Sequence, residues 1–199
     1  MKTLFFVSGV AVLLLAMGCA PAAEQKSAPA AQADFRLTGS IKDIMDSFVD
    51  PSADTLWESV ATTVDAKGTH ERFPRTDEEW QEVRRQAVRL LEATNLLVMP
   101  GRIVAKPGEK SENPGIELEP EQMQALIDQD RETFRKLARG LHDAVMVAFK
   151  AIESKDKEAL LDSGDGIDQA CENCHLKYWY PNEAKTQAEQ RQVPAPPAK

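Results

Sequence analysis

The chain has 199 residues, with 24 Lys or Arg against 32 Asp or Glu, so its formal net charge at pH 7 is -8. This acidic balance argues against nucleic acid as a partner, because phosphate groups require a basic protein surface. The length accommodates one domain of about 100 to 150 residues together with targeting and tail segments. We therefore expect one packed domain and no nucleic-acid partner.

The N-terminus has the plan of a secretory signal peptide. An apolar run over residues 4–17 follows a lysine and is too short to span a bilayer. Cys19 comes directly after Gly18, which resembles the bacterial lipobox, in which the cysteine becomes the lipidated first residue. The alternative is an ordinary signal peptide cleaved nearby. We expect a signal peptide over residues 1–18 and a periplasmic bacterial lipoprotein, anchored to a membrane by lipid on Cys19.

Two segments of low complexity flank the central part of the chain. Residues 19–37 are rich in Ala, Pro and Gln, and residues 182–199 are polar and end in a proline-rich stretch. Neither composition can bury enough apolar surface to offset the entropy lost on ordering. We expect a flexible lipoprotein tether over 19–37, a domain over 38–181 and a disordered tail over 182–199.

The first helical pattern begins at Ser40. Apolar residues recur from Ile41 at the spacing of one helical face through Met45 and Phe48, so we expect Met45 on a buried stripe. Pro51 lacks a backbone N–H, and we expect the helix to break or kink there and to restart with Asp50 as its N-cap.

Three further helical patterns follow, over residues 76–99, 120–152 and 157–178. Thr76 and Glu79 have the spacing of a capping box at the start of the first of these. Residues 101–119 contain two Pro-Gly pairs and predict a long loop. Because strand-like alternation is nowhere sustained, we expect an all-α fold, an antiparallel four-helix bundle.

Cys171, Cys174 and His175 form a C-x-x-C-H motif, the attachment pattern of c-type haem. On a helix the three residues lie on one face, so the thiols can reach a haem edge while the imidazole points at the iron. A redox dithiol calls for an α/β context, and a structural zinc site calls for two more ligands. Neither context is present, so we expect one covalent haem c, with His175 as an axial ligand of its iron.

With this motif the chain resembles the class II c-type cytochromes over residues 38–181. That family comprises cytochrome c-prime and its low-spin relatives, which are four-helix bundles with the haem motif late in the last helix. Tyr178, three residues after the histidine, and Met45 on the first helix also match. Trp179 departs from the pattern, since the family usually has Arg or Lys there, and the 101–119 loop looks long.

The resemblance implies two alternatives for Met45. In low-spin members a methionine at this position is the second axial ligand, which implies one-electron transfer. In cytochrome c-prime a non-ligating residue lies there, which implies a five-coordinate iron that binds NO or CO as a trap or sensor. A methionine on an apolar stripe is more often core than ligand, but a haem facing the first helix favours ligation. We expect Met45 to ligate, with Met99, Met123 and Met146 as weaker candidates.

Other partners and activities follow from the same residues. Peroxidase-like catalysis needs a distal acid-base pair, for which His142 is the one candidate, so we expect no enzymatic activity. The acidic surface favours a redox partner protein with a basic docking patch. Homodimers through the first two helices are common in the family, and the resemblance leaves a homodimer open.

Overall fold

A computed structural model of the chain describes residues 35–183, and these residues are mostly helical. The predicted signal peptide, Cys19, most of the predicted tether and residues 184–199 of the predicted tail lie outside the described residues. Between residues 35 and 183, no helix has both the length and the apolar composition needed to cross a bilayer.

Helical segments and one hairpin follow one another along the described residues. They are α1 (Ile41–Ile44), a π-helical segment (Met45–Val49), α2 (Asp50–Ser59), β1 (Ala61–Asp65), β2 (Gly68–Arg72), α3 (Asp77–Leu97), α4 (Pro120–Gln129), α5 (Arg131–Ser154), α6 (Lys157–Asp162) and α7 (Gly164–Tyr178). Helix α3 packs against α2 and α5, and α5 packs against α7. Leu90, Val145 and Ile167, one from each of α3, α5 and α7, are almost fully buried in the shared core.

A π-helical turn carries the first helix through Pro51. The backbone N–H of Asp50 donates to the carbonyl oxygen of Met45, five residues earlier. This wider turn changes which side chains face inward, so Val49 is buried while Phe48 is 38% exposed. Pro51 lies in the first turn of α2, where its missing N–H costs little. The expected break is thus replaced by a widened turn, and the predictions of Asp50 as N-cap and of Phe48 on the buried stripe are wrong.

Residues 61–72 form an antiparallel hairpin, in which Thr63 pairs with His70. Its second strand begins at Gly68, whose φ of +131° is unfavourable for residues with a side chain. The expectation of an all-α chain is therefore wrong for this segment. Nearly every residue of the two strands is exposed, so the hairpin lacks the alternation of buried and exposed residues that a sequence pattern reveals.

Asp130 divides the predicted third helix in two. Its backbone is not helical, with φ -141° and ψ 64°, and its carboxylate accepts a hydrogen bond from the Thr133 N–H at 3.0 Å. Asp competes with the helical backbone for such bonds and so favours the N-cap position over a helix interior. The prediction of one helix over 120–152 is wrong. The helical pattern over 157–178 is divided at Ser163 into α6 and α7.

Candidate haem site

A cleft opens between the first helix, the loop after α3, the α4–α5 region and the end of α7. It contains about 1020 Å³ of space outside protein atoms, including part that is open to solvent, and a second cleft of about 420 Å³ adjoins it. Five residues line both clefts: Met45, Asp50, Phe134, Cys174 and His175.

Helix α7 presents the C-x-x-C-H motif to these clefts. Cys174 and His175 line both of them, and Cys171 lines the smaller one. Two buried side chains, Ile167 and Tyr178, hold the helix against the core. The two cysteines are not joined by a disulfide bond. The motif residues therefore share one side of a fixed helix, as their spacing predicts.

Burial keeps the motif side chains uncharged. It raises the pKa of Cys171 to about 11 and the pKa of Cys174 to about 12, and it lowers the pKa of His175. At neutral pH both thiols are protonated and the imidazole is neutral, which is the form of histidine that binds metals. A dithiol oxidoreductase instead needs a cysteine with a lowered pKa, so these surroundings disfavour that interpretation.

The imidazole of His175 contacts the rings of Trp179 and Tyr180. The Tyr180 hydroxyl oxygen lies 3.4 Å from Nδ1 and donates to Oε2 of Glu172 at 2.7 Å. The Trp179 ring stands nearly perpendicular to the imidazole, with centroids 4.9 Å apart. Over residues 35–183 no hydrogen bond or ion pair engages Nε2.

Met45 is the first residue of the π-helical segment and lines both clefts together with Cys174 and His175. Met45 thus reaches the cleft from an element other than α7, the helix that carries the motif. Met123 on α4 lines the larger cleft, whereas the sulfur of Met99 lies 3.4 Å from a guanidinium nitrogen of Arg102. The cleft therefore holds two candidate thioethers, of which Met45 alone belongs to both cavities.

The loop between α3 and α4, residues 98–119, borders the larger cleft and is fixed at both ends. The N–H groups of Ile41 and Lys42 donate to loop carbonyl oxygens at 2.8 and 2.9 Å. These bonds satisfy donors that the start of a helix leaves unpaired. At the other end the Leu118 N–H donates to the Trp179 carbonyl oxygen at 2.8 Å. The long loop that the sequence predicts is thus part of the cleft wall.

Charged side chains gather at the border of the cleft. Lys42 bridges Asp46, at 3.2 Å, and Glu112, at 2.7 Å, and Lys110 lines the same cleft. Burial, followed by the negative charges of neighbouring carboxylates, raises the pKa of Asp50. The lining holds four carboxylates, those of Asp46, Asp50, Glu112 and Glu117, against two lysines, so the charged border of the cleft is acidic on balance.

His142 lies away from the motif. Its Nδ1 is 3.7 Å from a carboxylate oxygen of Asp143 on the same helix, and it is not among the residues that line either cleft. In the part of the chain that the structure describes, no three His, Cys, Asp or Glu side chains group into a metal-ion site.

The described residues define a mostly helical protein in which a C-x-x-C-H motif and a methionine share one cleft. Compared with protein-family models, with curated proteins and with solved structures, the chain gives no match in any of the three.

Proposed function

We propose that this protein is an extracytoplasmic monohaem c-type cytochrome of class II that transfers single electrons. The observation that carries the proposal is that Met45, Cys174 and His175 line the same cavity. In this proposal Cys171 and Cys174 hold the haem through thioether bonds, and His175 and Met45 are the axial ligands of its iron. When bound, the haem supplies an iron that accepts and releases one electron.

The residues of the cleft fit a haem in their chemistry. Two unpaired thiols and an imidazole with a free Nε2 lie on one helix face. An apolar wall around such a site limits water access and tunes the potential of the iron. Its aliphatic and aromatic side chains include Ile41, Leu97, Ile127, Phe134, Leu137, Leu141, Tyr178 and Trp179.

The proposal includes an antiparallel four-helix bundle. Its members are the 41–59 helix, α3, the α4–α5 pair and the α6–α7 pair. Packing of α3 on α5 and of α5 on α7 supports this arrangement, as does a core shared by the long helices. The bundle brings side chains from facing helices to one internal site, as bundle-core cofactor sites require.

Electron transfer is favoured over gas binding by the position of Met45. A π-helical turn begins at this residue, and such turns occur frequently at functional sites. If His175 and Met45 both bound the iron, the chain would supply both protein ligands, and the iron would rearrange little on gaining or losing an electron. Export, the lipid on Cys19 and a basic redox partner belong to the proposal on sequence grounds alone.

The test is the visible spectrum of the wild-type protein, Met45→Ala and Met123→Ala, each produced in a host that attaches haem c. We expect a low-spin wild-type spectrum with a weak long-wavelength sulfur-to-iron band and no response to CO. Met45→Ala should lose that band, and Met123→Ala should keep it. A high-spin ferrous spectrum that shifts with CO and is unchanged by Met45→Ala would favour gas binding instead. A wild-type chain without covalent haem would overturn both functions.

A further inference from the structure

Two residues that the sequence motif does not single out form a chain of contacts to His175. Tyr180 follows the end of α7, and its backbone N–H donates to the His175 carbonyl oxygen at 3.0 Å. Its hydroxyl oxygen lies 2.7 Å from Oε2 of Glu172 and 3.4 Å from Nδ1 of His175. The three side chains are all partly buried, so water competes less for these contacts than on an open surface.

The direction of these hydrogen bonds follows from the atoms involved. A tyrosine hydroxyl has one proton, and the shorter contact, to a carboxylate that can only accept, takes it. The hydroxyl lone pairs are then left for the Nδ1–H of His175. A proton on Nδ1 leaves Nε2 unprotonated, which is the tautomer that a metal ligand at Nε2 requires.

We infer that Glu172 and Tyr180 are positioning residues that orient His175 and lower the reduction potential of the iron, an inference that rests on the proposed function. The carboxylate polarises the hydroxyl, and the hydroxyl in turn polarises the Nδ1–H bond. The imidazole becomes a stronger donor, which stabilises ferric iron over ferrous iron. We call the contacts from Glu172 through Tyr180 to His175 the relay. Because 3.4 Å is long for a hydrogen bond, we expect the relay to change the ferric-to-ferrous equilibrium by less than tenfold. This corresponds to a change in midpoint potential below about 59 mV for a one-electron couple.

The experiment is a potentiometric titration of the haem-bearing protein, in which an electrode supplies the one electron that reduces ferric to ferrous iron. Tyr180→Phe removes the hydroxyl and keeps every charge, and Glu172→Gln removes the carboxylate. We expect both variants to raise the midpoint potential. Asp168→Asn is the matched control, because Asp168 lies on the same helix and acts on His175 through its charge without a hydrogen bond to Tyr180.

The relay predicts that Tyr180→Phe raises the midpoint although it removes no charge. The charge of Glu172 acts on His175 more strongly than that of Asp168, so Glu172→Gln exceeds Asp168→Asn with or without the relay, and the decisive comparison is between backgrounds. In a Tyr180→Phe background the added effect of Glu172→Gln should be smaller than in the wild type, which is the non-additivity of a coupled pair, whereas that of Asp168→Asn should be unchanged. An unchanged midpoint in Tyr180→Phe, or an effect of Glu172→Gln that is the same in both backgrounds, would overturn the relay. If Tyr180→Phe fails to retain haem, Tyr180→Leu supplies the background without the hydroxyl.

Failure of the relay and failure of the proposed function give different results. A wild-type chain that acquires no covalent haem would overturn both. A haem-bearing wild type whose midpoint is insensitive to Tyr180→Phe would overturn the relay and leave the cytochrome proposal standing.

Discussion

The guanidinium of Arg102 donates a hydrogen bond to the carbonyl oxygen of Gly39, and so joins the loop after α3 to the segment that precedes the first helix. Its Nε donates to the carbonyl oxygen of Leu96 at 2.6 Å, at the end of α3. Arg102 is only 7% exposed, which is unusual for a charged residue. One buried side chain therefore fixes the loop that borders the cleft to two other elements.

We expect Arg102→Met to destabilise the protein by about 2 kcal/mol. The substitution keeps the apolar stem but removes the guanidinium donor from the Gly39 carbonyl oxygen, at about 1–3 kcal/mol for an unsatisfied group, while the Leu96 carbonyl oxygen keeps its bond from the Met99 N–H. Arg85→Met is the control, because Arg85 makes an exposed ion pair with Glu82 that is worth about 0.5 kcal/mol or less. Urea unfolding measures both variants. Equal losses for the two variants would contradict a structural role for the buried guanidinium.

The features that the sequence predicts correctly are set by local chemistry. Thr76 accepts a hydrogen bond from the Glu79 N–H at 3.2 Å, and Glu79 accepts one from the Thr76 N–H at 3.0 Å, so the expected capping box is confirmed. The helical placement of Cys171 to His175 is equally local, since it depends on a short spacing along one helix. Such features do not require knowledge of distant contacts.

The features that sequence analysis missed depend on non-local packing or on a balance between similar local structures. The π-helical turn at Met45 keeps Val49 in the core at the expense of Phe48, and periodicity alone does not distinguish a widened turn from a break. Tyr180 follows the motif closely, two residues past Tyr178. An aromatic hydroxyl at this position could have been recognised from the sequence as a candidate contact of His175. Its contact with Glu172 required the chain path after α7.

Gly140→Ala should stabilise the protein by about 0.5–1 kcal/mol. Gly140 is an exposed interior residue of α5, and a Cβ added there meets nothing within 4 Å, so the change reduces backbone freedom without a clash. Gly164→Ala is the contrasting variant, because its Cβ would lie 3.3 Å from Cδ1 of Trp57. We expect no gain or a loss there. Urea unfolding that shows equal gains for both would contradict the tight packing of Trp57 on α7.

Asp43 should make stability depend on pH in the acid range. Bonds from Lys106 and then from Ser40 lower its pKa from 3.8 to about 2. A carboxylate whose pKa is lowered in the folded state stabilises the fold at pH values above its ordinary pKa. That contribution is lost as the pH falls towards 2. Asp43→Asn should therefore lower the urea midpoint at pH 7, and the difference from wild type should persist to about pH 4 and then shrink.

Lys106→Met is the control for this pH dependence. It removes the largest cause of the lowered pKa, so the loss of stability on acidification should be smaller than in the wild type and should end at a higher pH, closer to 3.8 than to 2. Urea midpoints measured between pH 7 and pH 2.5 would give both comparisons. A constant difference between wild type and Asp43→Asn over this range would contradict the assignment.

Phe134 should contribute more to stability than any exposed phenylalanine, because it lines both clefts and packs on the motif helix. Its ring meets Tyr178 edge to face, with centroids 5.6 Å apart, and it is 6% exposed. Phe134→Ala should cost about 3–5 kcal/mol through lost burial and the cavity it leaves. Phe134→Leu should cost less than half as much, because it refills most of that volume.

Phe48→Ala is the matched control for Phe134→Ala, and it also tests the π-helical turn. Regular helical periodicity from Ile41 would bury Phe48. In that case Phe48→Ala would destabilise the protein as much as Phe134→Ala. In the π-helical register Phe48 is 38% exposed while Val49 is buried, so Phe48→Ala should cost about 1 kcal/mol or less. Urea unfolding of the two alanine variants measures this difference. Equal losses would contradict the widened turn and, with it, the position of Met45 at the start of that turn.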